Sequence, residues 1–279
     1  MTTSAEGLQY LRDFVRRRSA IVVEADKNYL VESRLSPLVR ELKLASIDEL
    51  LQQMKRDERG PLARRVVEAM TTNETSFFRD IHPWETLKNT ILPELIKTRQ
   101  TSRRLRIWCA AASTGQEPYT IAMVIREHFP ELATWDIQIL GTDLNAAVLE
   151  RCRTGIYKQL EVNRGLPATM LVKYFDRQGV EWQVKPEIRK MLAFQELNLL
   201  DRWSMFAMND VVFMRNVLIY FDTNVKRDIL GRVRDKLAPD GFLVLGGAET
   251  TLNLDDQYAP LRAGQTVVYQ PKSAQKKAV

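Results

Sequence analysis

Three stretches of the chain carry residue types better suited to holding a nucleoside than to exchanging protons. Residues 110–119 read AAASTGQEPY, a run of small side chains leading from a strand candidate into a helix start. Small side chains let a ligand reach the backbone, and a helix start offers N–H groups with no partner inside the helix. Gly141-Thr142-Asp143 sets a carboxylate at the end of the next strand candidate. In open α/β sheets a carboxylate there takes ribose hydroxyls, although Asp143 also fits as the N-cap of the helix that follows. Arg215-Asn216 closes a third strand candidate. The first stretch has a single glycine, Gly115, and no G-x-G-x-x-G pattern, so pyrophosphate is not the expected ligand. The combination predicts an adenosine-containing ligand without phosphates, of which S-adenosylmethionine is the obvious one.

The remaining reactive side chains are few. His82 and His128 both stand near prolines at helix ends and read as structural. Two cysteines, Cys109 and Cys152, in 279 residues make neither a disulfide framework nor a zinc cluster, so no metal is expected and a reducing cytosol is. The charge sum, 41 basic against 35 acidic residues, is +6. That favours an anionic partner without choosing among nucleic acid, an acidic protein surface and anionic lipid. Arg16-Arg17-Arg18 and the tail at 272–277 are the densest basic runs, and neither interleaves aromatics as a nucleic-acid groove does. A 45% hydrophobic and 27% charged composition excludes disordered and fibrous classes. No window has the roughly 18 apolar residues of a membrane span, and no apolar run precedes Arg12. A cytoplasmic location without membrane insertion is therefore expected.

The elements that must position these residues fall into two patterns. Up to about residue 100 the signals are helical: Leu8, Leu11, Phe14 and Val15 repeat at helical spacing, and a second run spans 27–44 after Asp26 as N-cap, with Pro37 expected to kink or split it. Ser46-Ile47-Asp48-Glu49 reads as a capping box, Pro61 as a first helical position, and Pro83 as the opening of a long helix to about residue 97. After Arg103 strands at 105–111, 136–141, 211–214, 242–245 and 266–269 alternate with helices at 118–129, 146–153 and 223–237, with a turn at 239–241. That alternation predicts an α/β doubly wound, mostly parallel sheet. Short β-like pieces at 180–184 and 191–194 predict a small antiparallel insertion over about 174–195. The expected domains are a helical 1–75 and a ligand-binding 76–279.

Residues 71–79 (TTNETSFFR), 110–119 (AAASTGQEPY) and 215–222 (RNVLIYFD), in that order and with those gaps, resemble the chemotaxis receptor methyltransferases, the CheR family, over nearly the whole chain. The resemblance implies the S-adenosylmethionine-dependent methyltransferase fold and methylation of glutamate side chains on the cytoplasmic region of chemoreceptors, with S-adenosylhomocysteine as product. By motif position it places Asn73, Thr75, Arg79, Glu117, Asp143, Asn198, Leu199, Arg215 and Asn216 around the cofactor, Glu117 at its amino-acid end and Asp143 at the ribose. Arg79 and Tyr220 are implied nearest the methyl and the acceptor carboxylate; read from residue type alone, Arg79 also suits an ion pair with Asp80, and Tyr220 a core position. The family's receptor-facing helix corresponds here to one carrying Lys27, Arg34, Arg40 and Lys43, a weaker stripe for having Pro37, or else an ordinary solvated face. Family members that bind a receptor's C-terminal pentapeptide carry a longer, glycine-bearing loop than residues 176–182 do here, so independence from such a tail is expected. Gly247-Ala248 stand where the family usually has His-Ser. The Asn/Asp-Pro-Pro-aromatic motif of amino-methylating nucleic-acid enzymes is absent at 215–218, so nucleic acid is not the expected partner. A non-catalytic scaffold would have been favoured by loss of Arg79 or Asp143, and both are present. No heptad is left over, so a monomer is expected.

Overall fold

The structure, a computed structural model, describes residues 3–203 and 206–272. The basic tail expected at 272–277 lies outside the described residues beyond Lys272. The chain divides into two compact units. The first takes in the chain to Thr72 together with Asn198–Leu200 and Tyr220–Val225, and the second takes in the rest.

In the first unit, α1 (Ala5–Ser19) starts where Ser4 Oγ accepts from the Gly7 N–H at 3.1 Å. Its buried stripe is Leu8, Leu11, Phe14 and Val15, and Arg16, Arg17 and Arg18 sit in its last turn, where cations complement the helix dipole. Helix α2 (Asn28–Glu41) continues through Pro37 and is not split there, and it is preceded by Lys27 rather than capped by Asp26. A mid-helix proline costs roughly 3 kcal/mol. Val31, Leu35, Leu38 and Val39 are all buried on the opposite side, each contributing about 1.5–3 kcal/mol, and that sum wins. At α3 (Ile47–Lys55) Ser46 Oγ accepts from Glu49 N–H at 3.1 Å, while the Glu49 carboxylate takes the N–H of Ala45 rather than Ser46. Helix α4 (Pro61–Met70) buries Ala63, Val66, Val67 and Met70.

In the second unit a helical run opens with α5 (Ile81–Thr86), passes through a π-turn (Leu87–Ile91) and continues as α6 (Leu92–Arg99), so the helix expected from Pro83 is not regular. Then come β1 (Arg104–Ala110), α7 (Gln116–His128), β2 (Asp136–Asp143), α8 (Ala146–Thr154), β3 (Ile156–Lys158), α9 (Gln159–Val162), α10 (Ala168–Tyr174), β4 (Phe175–Gln178), β5 (Glu181–Val184), α11 (Pro186–Arg189), β6 (Leu192–Glu196) and β7 (Asn209–Met214). Helix α12 (Thr223–Arg234) leads to β8 (Leu237–Leu245), β9 (Tyr258–Ala263) and β10 (Thr266–Pro271). Among the described residues the main sheet orders these strands β6-β2-β1-β7-β8-β10-β9. The first five are parallel to one another, and β10 alone runs against the rest, antiparallel to both β8 and β9. The direction of winding reverses between β1 and β7, so their carboxyl ends form the crevice where doubly wound sheets bind ligands.

Three assignments differ from the sequence pattern. Of the β-like piece at 191–194, residues 192–194 belong to the main sheet, in the edge strand β6 beside β2. The antiparallel insertion is β3-β5-β4, and it recruits Ile156–Lys158 from outside 174–195. The turn expected at 239–241 is strand, because β8 begins at Leu237 and absorbs a register shift against β7 at Asn209/Val211. Below the crevice, at the amino ends of the central strands, Arg99 holds Asp210 at 2.8 Å and Asp240 at 2.6 Å, pinning α6 to β7 and β8.

Candidate functional site at the carboxyl ends of the strands

The loop from β1 to α7 is bent by positive φ at Ala111 (59°), Ser113 (51°) and Gly115 (93°). Left-handed backbone costs roughly 1–2 kcal/mol for a residue with a Cβ, so the surroundings must hold it. They do so from both sides. Ala112 N–H reaches Thr142 O at 2.8 Å, and Ser113 N–H reaches the Asp143 carboxylate at 2.8 Å. From α8 and β3, Cys152 Sγ donates to Ser113 O at 3.1 Å and Tyr157 OH to Thr114 O at 2.7 Å. Both groups are buried, and burial pushes both up in pKa, so they act as neutral donors. A Cβ on Gly115 would stand 3.0 Å from each of those two side chains. Asp143 does not cap α8. Asn145 does, and Asp143 instead accepts from the N–H of Asn145 at 2.9 Å as well as from that of Ser113.

Residues 73–80 lie against this loop. Ser113 Oγ donates to Asn73 O at 2.9 Å, and Phe78 N–H donates to Thr120 Oγ1 on α7. A cleft of about 420 Å³ opens there, lined by Asn73, Thr75, Thr114 and Gln116 and edged by Arg151 and Arg164. Arg164 pairs with Glu74 at 2.6 Å at this edge. Phe78 (φ 50°) and Asp80 (φ 58°, ψ 110°) are again in positive-φ backbone. Of the nine described non-glycine residues with positive φ, five lie on these loops once Asn216 (φ 58°) is added. Strain of this kind concentrates at functional sites.

The electrostatic centre is Arg215, its side chain only 1% exposed. It donates to Glu117 at 2.7 Å, to Asp80 at 2.8 Å and to Arg79 O at 3.0 Å, and it lies 5.3 Å from the centre of the Trp84 ring. Among the described residues its Nε is buried without a partner. Burial pushes the Glu117 carboxyl above the ordinary carboxylate range, and Arg215 pulls it back. Asp80 is thus held by Arg215 and not by Arg79, whose guanidinium donates to Glu74 O at 3.0 Å.

Beyond the last β7–β8 pair, Met214 with Leu245, four backbone N–H groups converge on one carboxylate. Glu249 accepts from Asn216 at 2.7 Å, Gly246 at 2.8 Å, Val217 at 2.9 Å and Ile219 at 3.3 Å.

The second unit therefore brings together Asn73, Thr75, Arg79, Glu117, Asp143, Arg215 and Asn216. Asn198, Leu199 and Tyr220 belong to the first unit. There Asn198 Nδ2 donates to Arg18 O at 2.7 Å, and the Tyr220 carbonyl accepts from Val22 N–H at 3.0 Å. The four cations expected on one receptor-facing helix separate. Arg40 and Lys43 are exposed, Lys27 pairs with Glu24 at the surface, and Arg34 turns onto the end of α4, reaching Met70 O and Thr72 Oγ1 at 2.6 Å each. Sequence spacing did not reveal Asp80, Cys152, Tyr157 or Glu249 as parts of the site; each acts through a backbone contact or an ion pair that carries no periodic signal.

Two family models match the chain: the CheR methyltransferase all-alpha domain over residues 6–71, and the CheR methyltransferase SAM binding domain over residues 73–267. The chain is 42% identical over 277 residues to the chemotaxis protein methyltransferase Cher2 of Pseudomonas putida, covering 98% of this chain and 100% of that one. It is 43% identical, with the same coverage, to chemotaxis protein methyltransferase 1 of Pseudomonas aeruginosa. Similarity to the chemotaxis protein methyltransferase of Vibrio parahaemolyticus is 38% over 279 residues, again 98% and 100% of the two chains.

Proposed function

Since the chain belongs to the CheR family, methyltransferases that esterify glutamate side chains of chemoreceptors using S-adenosylmethionine, we propose that the carboxyl ends of β1, β2 and β7 hold the methyl donor. The observation that carries this is the Arg215 cluster, in which a residue of the third motif binds Glu117 of the second and the backbone of the first. The side chains fit such a donor. Glu117 and Asp143 offer carboxylates to an ammonium and a ribose, the small residues 110–115 leave room for a flat nucleoside, and Arg215 has a buried N–H still to be used. Asn73, Thr75 and Asn216 complete this side; Asn198 and Leu199 are assigned to the donor, and Tyr220 to the acceptor, from the family resemblance alone. When bound, the donor supplies an electrophilic methyl group.

A glutamate side chain, with a pKa near 4.3, is already ionised at neutral pH and needs no general base. What it needs is placement with water excluded. Arg79 supplies that by charge-assisted hydrogen bonds to the acceptor carboxylate. Once the neutral ester forms, the attraction disappears and the product leaves. The acidic methylation region of the receptor docks, in this reading, against the exposed cations Arg40 and Lys43, with Lys27 at the margin and Arg34 occupied in bracing α4. The protein works as a cytoplasmic monomer and does not depend on a receptor tail pentapeptide, the turn at Gly179 between β4 and β5 being short.

The test uses radiolabelled S-adenosylmethionine with receptor-containing bacterial membranes, then alkali. Volatile methanol from the receptor band, reduced at least about 100-fold in Arg79→Ala, is the expected result, that loss being typical for a donor aimed at a reacting carboxylate. Label that survives alkali, or label on RNA, would overturn the reading.

A further inference from the structure

We propose that Glu249 is a positioning residue for the donor site, acting as a clip that fixes the Arg215-Asn216 turn. The proposal rests on the donor-site reading above. The parallel ladder between β7 and β8 ends at Met214 and Leu245, so the N–H groups just beyond it have no strand to bond. One carboxylate replaces the missing ladder: Oε2 takes Asn216 and Gly246, one from each strand end, and Oε1 takes Val217 and Ile219. A carboxylate has about four acceptor positions, and all are matched by backbone donors. The fit leaves no slack at Gly246, where a Cβ would lie 2.7 Å from Glu249 Oε2 and 2.9 Å from the Asn216 nitrogen.

What the clip holds is the root of the site. Asn216 sits at φ 58°, a backbone state that reverts readily unless its N–H is fixed. The residue before it is Arg215, whose guanidinium must arrive between Glu117 and Asp80 within hydrogen-bond distance of both. A shift of about 1 Å at such a root is enough to cost on the order of 100-fold in a site that works by placement. Glutamine at 249 keeps the shape but turns an acceptor into an NH₂ group facing two N–H donors, so it opens the clip without leaving a cavity.

The experiment measures S-adenosylhomocysteine affinity by calorimetry, kcat and KM for S-adenosylmethionine, and Tm, for the full-length protein and three variants. Glu249→Gln and Gly246→Ala disturb the clip; Arg99→Met removes the pin at the far end of the same strands and serves as a matched loss of stability. Both clip variants are expected to raise the S-adenosylhomocysteine Kd and the donor KM by about tenfold or more, while Arg99→Met lowers Tm and leaves both unchanged. Unchanged affinity in the clip variants, or an equal loss in Arg99→Met for the same drop in Tm, would overturn the proposal. Failure of the unsubstituted protein to bind S-adenosylhomocysteine would instead overturn the donor-site reading and the clip with it. Should Glu249→Gln fail to fold, Gly246→Ala reads the same contact from the opposite side.

Discussion

Arg215 and Glu117 share one buried ion pair, and their joint behaviour decides how the site responds to pH. Burial raises the Glu117 carboxyl and Arg215 restrains the rise. The ionised form is the one that can hold an ammonium. Donor affinity is therefore complete above the raised Glu117 pKa and is lost as pH falls through it, beginning at a higher pH than a free carboxyl would give. We expect the S-adenosylhomocysteine Kd to climb on acidification, starting at a higher pH than an ordinary carboxyl would set, and Glu117→Gln to bind weakly with that acid limb gone. Turnover of the saturated enzyme should stay flat between about pH 6.5 and 8.5, because the acceptor glutamate is ionised throughout that range. A steep rise of kcat near pH 7 would mean that some group does exchange a proton. At this scale the sequence is informative where residue types run together: Asp143 and Arg215 stand at the carboxyl ends of β2 and β7, and Glu117 in the first turn of α7. It was silent on Asp80, Tyr157 and Glu249, whose roles come from folded proximity; Tyr157 is 43 positions from the carbonyl it holds.

Among the connecting elements, the turn after α9 is the most tightly constrained. Gly165 has φ 88°, and a Cβ there would stand 2.0 Å from Phe77 O, in the segment whose Asn73 and Thr75 line the cleft proposed for the donor. Gly165→Ala should cost at least about 1–2 kcal/mol from its backbone conformation alone. In a domain of this size that is a Tm loss of about 2–8 °C by scanning calorimetry, with a raised donor KM expected as the 73–80 segment is pushed away. An alanine variant that melts with the parent and keeps its KM would show that this turn gives way freely. Elements were legible where pattern and burial agree, as in α1, α4, β1 and α8. They were misread where tertiary context decides. Apolar packing carried α2 through Pro37, parallel pairing with β2 drew residues 192–196 into the main sheet, and β9, interrupted by Pro260 at the sheet edge, offered no alternation to find.

For the whole molecule, a net charge of +6 and an acidic substrate make encounter salt-dependent. Reversing Arg40 and Lys43 together to glutamate should raise the KM for receptor several-fold and flatten its salt dependence, leaving the KM for S-adenosylmethionine unchanged. A calorimetric titration with a receptor-tail pentapeptide should give no heat of binding; micromolar affinity would show that the short β4–β5 turn does not prevent recognition. The first unit is not one stretch of chain. It is assembled from residues up to 72 and from two later visits, at 198–200 and 220–225, the second of which carries the aspartate that pairs with Arg16 at 2.8 Å. For the gene this means that no single crossover can trade the helical unit between relatives as a module. A chimaera joined between codons 72 and 73 would inherit the helices from one parent and their two stitching segments from the other.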